Sequence, residues 1–406
     1  AVGSRAYGFP TTGAPATRSL NANTDAPYGP YGYFAGGYSP SLGSYHSIVD
    51  RIDFSSDTTT ASQRANTTIE SQGIVGVSNR LFGYWSGGWP GPYSTINRID
   101  FSSDTGTLAV KGSMTMGRRW NQSVGNASYG YFTGSYSSVT SIERIDYSSD
   151  TGSSLVSGYL INMGSQGAGA GNQSYGWIAG GYGPSSVSQV QRMDYSNDGV
   201  NLSPKGPITS VRFYLAAASN TDYGWYAGGQ PNPGVTTVDR IDYANDTATA
   251  TLKGNLSSTK STHGATGNAS YGYFGGNEPG DSIIDRIDYS NDTTTATPKG
   301  NLSFTRKGSA ALSASENGLS YTTIYPWYDT SGKGDDGDNS SGGARYGSGG
   351  GGSFTFNGTS NYISSDNKAN LQLGSGNFTL AAWIKPGESP AGTDYGYFGG
   401  GYNSGN

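Results

Sequence analysis

The amino-acid sequence predicts an all-β fold: a β-propeller of seven four-stranded blades, with an insertion in the last blade. Three observations lead to this prediction. The chain repeats a unit of 46 to 48 residues, each unit contains four strand-like segments, and no segment shows convincing helical periodicity. Units of about 40 to 50 residues with four short strands are typical of propeller blades.

Two phrases define the repeat. The first, Tyr-Gly-aromatic-aromatic-x-Gly-Gly with some variation, begins at Tyr31, Phe82, Tyr129, Tyr175, Tyr223 and Tyr271. The second, apolar-x-Arg-Ile-Asp-aromatic with one Met for Ile, has its arginine at Arg51, Arg98, Arg144, Arg192, Arg240 and Arg286. Successive arginines are 47, 46, 48, 48 and 46 residues apart, which indicates six equivalent structural units.

The sixth copy shows the four strands in order. Residues 264–270 are small and suit a strand close to a crowded axis, and residues 271–276 form an aromatic strand that ends in Gly-Gly. Residues 282–289 alternate between apolar and polar side chains, as a half-buried strand does. An Asx-type turn then leads into a β-branched outer strand at residues 293–297.

A seventh blade is expected after the sixth. Residues 309–314 match the small-residue strand and residues 319–325 stand where the aromatic strand belongs, but no Arg-Ile-Asp phrase follows. Residues 332–352 are a Gly/Ser/Asp-rich linker. We therefore divide the chain into a propeller (1–326), an inserted linker with a partial second pattern (327–394) and a closing or donated strand (395–406).

The last segment repeats the aromatic strand, with Tyr395, Tyr397, Phe398 and Tyr402, and has no successor strand. Unpaired strand edges are costly to leave exposed. The segment is expected either to complete the seventh blade of its own ring or to add to a neighbouring molecule, which builds filaments when such contacts do not close.

Composition narrows the function. The 406 residues include 66 Gly and no Cys, and the net charge is −5. These values argue against a disulfide scaffold, a zinc–thiolate site, a Cys nucleophile and a nucleic-acid partner. No apolar run is long enough to span a membrane. No cofactor is expected, and an exported form is expected to have lost its signal segment already.

No residue pattern points to catalysis. The two histidines, His46 and His263, lie in no recognised motif and are expected on exposed loops. The repeated pair of Arg240 and Asp242 recurs in every unit, which favours a ladder of ion pairs over an active site. Three linker aspartates could bind Ca²⁺, although a solvated linker is the favoured interpretation; they are Asp335, Asp336 and Asp338.

Four aromatic residues directly follow the glycine doublets or their equivalent: Tyr38, Trp89, Tyr136 and Tyr182. They are expected on loops at one face of the ring, where aromatic rings beside Asn, Ser and Gly suit stacking against sugars. The alternative, that they pack between blades, stays open.

Asn-x-Ser/Thr sequons are numerous and are glycosylation sites only if the producing cell glycosylates exported proteins. They begin at Asn66, Asn121, Asn126, Asn172, Asn201, Asn245, Asn255, Asn268, Asn291, Asn301, Asn339, Asn357 and Asn377.

The glycine doublets resemble those of kelch propellers. They are Gly36-Gly37, Gly87-Gly88, Gly180-Gly181, Gly228-Gly229 and Gly275-Gly276, whereas the third copy has Gly134-Ser135. The combined phrase at 271–276 and 286–293 is similar to repeat-rich virion structural proteins of marine cyanophages. Residues 353–363 and 377–386 resemble the opening strands of concanavalin-like (laminin-G-type) jelly rolls, but are too short to form one.

These resemblances imply a non-enzymatic structural protein located outside the cell or on a virion surface. The first hypothesis is a subunit of a phage fibre or surface filament that assembles with itself through terminal or inserted strands. The alternative is an adhesin that recognises cell-surface glycans.

Overall fold

The computed structural model describes residues 30–136, 139–231 and 234–315, together with four short strands beyond them. The chain divides into two compact units, Ala1–Tyr321 and Thr322–Asn406. The described part of the first unit is all-β, apart from three short 3₁₀ turns at Tyr195–Asn197, Tyr243–Asn245 and Tyr289–Asn291. Nowhere in the described residues is there a helix of the length and apolarity needed to cross a membrane.

Six four-stranded antiparallel blades form a ring, in which each inner strand contacts the inner strand of the next blade and the sixth contacts the first. The strands are given from inner to outer. Blade 1 has Ala310–Ser313, Tyr31–Ala35, Ile48–Asp53 and Ser62–Asn66; blade 2 has Gln72–Ser78, Phe82–Trp89, Tyr93–Asp100 and Ala109–Arg118; blade 3 has Gln122–Gly125, Tyr129–Ser135, Val139–Asp146 and Ser153–Tyr159. Blade 4 has Ala168–Gly171, Tyr175–Ala179, Val190–Asp194 and Ser203–Lys205; blade 5 has Ala216–Ser219, Tyr223–Ala227, Val238–Asp242 and Thr251–Leu252; blade 6 has Gly264–Gly267, Tyr271–Gly275, Asp281–Asp288 and Thr297–Arg306. Two smaller additions are Gly106–Thr107, parallel to the outer strand of blade 1, and a hairpin of Tyr38–Ser39 with Ser44–Tyr45.

The ring has six blades, so the predicted seventh blade is wrong. The small-residue segment expected to begin it forms Ala310–Ser313, the inner strand of blade 1, with Gly32 opposite Ser313 and Ala35 opposite Ala310. The chain supplies the inner strand of each blade after the outer strand of the preceding blade. The segment after the sixth outer strand therefore completes the first sheet.

The small residues of the inner strands follow from crowding at the axis. A Cβ placed on Gly169 would lie 2.0 Å from the carbonyl oxygen of Ser123 in the neighbouring inner strand. The glycine doublets turn the chain: Gly36 and Gly37 have φ of 64° and 112°, values that favour glycine.

Aromatic stacking joins neighbouring blades. The aromatic residue after each Arg-Ile-Asp (or Arg-Met-Asp) phrase lies against an aromatic residue in the second strand of the preceding blade. Tyr243 stacks on Trp177 and Tyr289 on Trp225, with ring centroids 3.8 and 3.7 Å apart. The other four pairs are Phe101 with Tyr33, Tyr147 with Tyr84, Tyr195 with Tyr131, and Phe54 with Tyr273.

The repeated arginines form a closed circle of ion pairs, but not with the aspartate two residues later. Arg240 binds Asp292 of the next blade, at 3.0 Å, while Asp242 accepts a hydrogen bond from the Ala244 backbone. The aspartate of the repeated phrase therefore does not take part in this circle, because Asp242 caps the turn that follows. The remaining pairs are Arg51–Asp104, Arg98–Asp150, Arg144–Asp198, Arg192–Asp246 and Arg286–Asp57.

The second unit contains two pairs of antiparallel strands. Arg345–Gly347 pairs with Ser353–Thr355, and Phe378–Trp383 pairs with Gly396–Gly401. The strand Gly396–Gly401, here called the tail strand, therefore has a partner within its own unit. The rest of the jelly-roll-like pattern and the linker aspartates lie outside the described residues.

Candidate functional site

A hydrogen-bonded ring surrounds the propeller axis at one end. Each blade contributes one residue, which lies just before the inner strand or, in blade 2, within it. This residue donates its backbone N–H to the carbonyl of the equivalent residue in the preceding blade, and the sixth such bond closes the circle. The six N···O distances lie between 2.5 and 3.0 Å. The ring residues are Gly73, Trp120, Gln166, Tyr214, Thr262 and Gly308.

All six ring residues have left-handed backbone, with φ from 52° to 68°. Gly73 and Gly308 adopt it without strain, but each of the other four is expected to cost on the order of 1 kcal/mol or more. Strain of this kind concentrates where a side chain is needed in a particular place. Here it places four larger side chains around one point on the axis.

Trp120 and Tyr214 are the two aromatic side chains at that point. Their rings meet edge to face with centroids 4.9 Å apart, and the Gln166 amide donates to the Tyr214 hydroxyl at 2.9 Å. Trp120 lies over Gly73, where a Cβ would come within 2.6 Å of the indole. Burial raises the pKa of Tyr214 to about 12, so the phenol stays protonated and able to donate at neutral pH.

More aromatic residues extend this surface outwards. Phe213 contacts Tyr214 and Tyr182, with ring centroids 5.3 and 5.9 Å away. On the other side, the Arg119 guanidinium lies 4.4 Å from the ring of Trp89 and 4.7 Å from the ring of Tyr136. We call this surface the axial aromatic face; its residues are Trp89, Arg119, Trp120, Tyr136, Tyr182, Phe213 and Tyr214.

The four aromatic residues singled out in the sequence all lie around this end of the ring. The backbone N–H groups of Tyr38, Tyr136 and Tyr182 bind the carbonyls of the residues that precede Gly308, Trp120 and Gln166. Trp89 is opposite Gln72, which precedes Gly73. Tyr136 and Tyr182 are 45% and 43% exposed, whereas Tyr38 packs on Tyr45 with Lys307 over its ring.

A narrow channel of about 130 Å³ leads inwards from the ring, between the six inner strands. Asn121, His263 and Ser309 each follow a ring residue along the chain. Their side-chain polar atoms are buried without a hydrogen-bond partner among the described residues, apart from any bound water.

His263 is buried, so its prediction as an exposed loop residue was wrong. The equivalent positions in blades 2 and 5 hold Ile74 and Leu215, which are also buried. Burial, helped by the charges of Lys260 and Arg212, lowers the pKa of His263 to about 3. His46 is half-buried against Phe304.

The sequons differ in their surroundings. Asn121 is buried, and Asn126, Asn172 and Asn268 use their side-chain oxygens to cap the turn after an inner strand. Asn66, Asn201, Asn245, Asn255, Asn291 and Asn301 are exposed. Asn339, Asn357 and Asn377 fall outside the described residues, as do Tyr395 and Tyr402. Tyr397 and Phe398 lie in the tail strand opposite Ala382 and Ala381.

Sequence reasoning missed Trp120, Phe213, Tyr214 and Arg119. A signal was present, because the ring positions differ from copy to copy while the two phrases that define the repeat are nearly constant. Binding sites are built from unlike residues, so a variable column in a regular repeat marks a candidate site. Within the described residues, no group of three or more His, Asp or Glu side chains is placed to hold a metal ion.

Comparison with known proteins supports the fold. The structure is similar to that of YjhT, with a TM-score of 0.51, 12% sequence identity, and coverage of 74% of this chain and 99% of YjhT. No family model matches the sequence. No curated protein sequence matches it either.

Proposed function

We propose that this protein is a non-enzymatic, kelch-like propeller that binds a carbohydrate at the axial aromatic face, outside the cell or on a virion surface. The observation that carries this proposal is the pair of Trp120 and Tyr214, held in strained backbone at the mouth of the channel. Trp120 and Tyr214 are half-buried and Tyr136 and Tyr182 at the same end are exposed, and grouped aromatic rings at a surface mark interaction sites. Around these rings, Gln166 and the Tyr214 hydroxyl supply the polar groups that fix a sugar's orientation.

The test is a glycan array probed with the intact chain and with Trp120→Gly and Tyr214→Gly. Glycine already occupies two of the six ring positions, so these variants should keep the ring while removing the aromatic surface. We expect each to weaken binding by about tenfold or more. Tyr159→Ala, at an exposed tyrosine on an outer strand, is the matched control and should bind as the parent does. An array without any hit for the intact chain would refute the proposal.

The filament hypothesis remains a second candidate, supported by one observation. The ring closes through Ala310–Ser313, so the tail strand is not needed for closure. Within the described residues, its sheet with Phe378–Trp383 has two strands and hence two edges for a further strand. Deleting residues 395–406 should then abolish assembly seen by electron microscopy and sedimentation. An intact chain that is monomeric at high concentration contradicts this role.

A further inference from the structure

Arg119 has the surroundings of a repeated arginine but lacks the acid. Each of the six repeated arginines lies over an aromatic ring of its own blade and also binds an aspartate. Arg240, for instance, lies 4.3 Å from the Tyr223 ring centroid and 3.0 Å from an oxygen of Asp292. Arg119 lies between two rings, those of Trp89 and Tyr136, yet its guanidinium has no hydrogen bond or ion pair with any described residue.

The nearby acids do not neutralise Arg119. Glu278 also faces this end of the ring, but it binds Lys307 at 2.7 Å. The carboxylates of blade 3 are engaged elsewhere: Glu143 holds the buried Arg118, and Asp146 caps Ser148. The guanidinium therefore presents a positive charge beside Trp120, at the edge of the channel mouth.

We propose that Arg119 binds an anionic group, a carboxylate or a sulfate, on an acidic saccharide held at the axial aromatic face. This inference rests on the proposed function, because it specifies the ligand of the same site. The planar guanidinium matches two acid oxygens at once. The two flanking rings fix its position before binding, so little conformational entropy is lost when the ligand arrives. The charge and the stacking rings together favour an acidic sugar over a neutral one.

The test compares three oligosaccharides that differ only in the terminal residue: glucose, glucuronate, or glucose 6-sulfate. The intact chain should bind at least one charged form about tenfold or more tightly than the neutral form. The charged form that binds tighter identifies the group. Arg119→Gln should remove this preference, so that the charged and neutral forms bind the variant with affinities within about twofold of each other. Added salt should weaken only the charged ligands.

Two further variants make the result specific. Arg119→Lys keeps the charge but loses the planar fork, so it should retain only part of the preference. Arg80→Gln removes a positive charge from the turn at the opposite end of blade 2 and should change nothing. If the neutral form binds as tightly as the acidic forms and Arg119→Gln has no effect, the inference fails while carbohydrate binding stands. If none of the three binds while the glycan array gives a hit, the inference fails and carbohydrate binding stands; an array without any hit refutes both.

Discussion

At the residue scale, the residue before each repeated arginine is acidic only where a buried cation faces it from the segment that leads into the blade's inner strand. The residue before the repeated arginine is acidic in blades 1, 3, 5 and 6 and a neutral amide in blades 2 and 4. In the order of blades 1, 3, 5 and 6, the acids face Arg306, Arg118, Arg212 and Lys260, and the three arginines bind their acid directly. In blades 2 and 4, the amides Asn97 and Gln191 occur where Ser71 and Gly164 replace the cation. Each arginine also donates to backbone carbonyls of the blade that holds its acid, as Arg212 does to Gly228 and Thr237. These pairs anchor the chain where it crosses to a new blade.

Replacing only the arginine of such a buried ion pair should therefore destabilise the protein more than replacing both partners. Arg212→Ser leaves the Asp239 carboxylate buried and should lower the free energy of unfolding by about 3 to 5 kcal/mol. The double variant Arg212→Ser/Asp239→Asn copies the neutral pattern of blade 2 and should recover much of that loss. Denaturant unfolding of the single and double variants measures the coupling. Strictly additive losses would show that the pair is not a unit.

His263 should make stability depend on pH. Its pKa is about 3 in the folded protein and about 6.5 when unfolded, so between these values the unfolded chain binds a proton that the folded one does not. The free energy of unfolding should fall by up to about 1.4 kcal/mol per pH unit below 6.5. His263→Leu, which copies the leucine of blade 5, should flatten that slope in unfolding measured from pH 4 to 7. As a control, His46→Asn, at the half-buried histidine, should change the pH dependence of stability far less. Equal slopes for the parent and for His263→Leu would contradict the assignment of the pH dependence to His263.

At the element scale, one ion pair between blades lacks its second cation. Asp246 and Asp292 each bind a lysine from the outer strand or the segment beside it, Lys205 and Lys253, in addition to the repeated arginine. Among the described residues, the Asp198 side chain contacts only Arg144 and the Tyr131 hydroxyl, and the residue at the lysine position of blade 3 is Ser157. Asp198 is also the most exposed of the six circle aspartates.

Ser157→Lys should supply the missing partner. We expect the free energy of unfolding to rise by about 0.5 kcal/mol, the usual size for a partly exposed pair, and the gain to shrink at high salt. Ser157→Met has a similar length without the charge and should show no such salt-dependent gain. A gain that survives Asp198→Asn would mean that the lysine acts through another contact.

At the whole-molecule scale, ring closure depends on Ala310–Ser313 and not on the tail. Deleting residues 322–406 should leave the thermal midpoint of the propeller unchanged. Leu312→Ala, at a fully buried position in the closing strand, should lower the free energy of unfolding by about 2 to 5 kcal/mol. Loss of cooperative unfolding on deleting the tail would show that the second unit helps to close the ring.

Much of this architecture was predictable, because the repeat length and the alternating Arg-Ile-Asp strand define blades locally. The number of blades was not, since residues 309–314 have the same composition whether they begin a seventh blade or complete the first. The choice depends on how tightly inner strands pack around the axis. Likewise, the doublets indicated Trp89 and Tyr136, but the left-handed backbone that places Trp120 and Tyr214 is a tertiary property.

The closing strand also fixes where the described chain enters and leaves the ring. It runs from Gly308, in the hydrogen-bonded ring, to Ser313, which lies opposite Gly32 near the start of the first strand. Entry to the ring and exit from it therefore lie side by side at its far end, away from Trp120 and Tyr214.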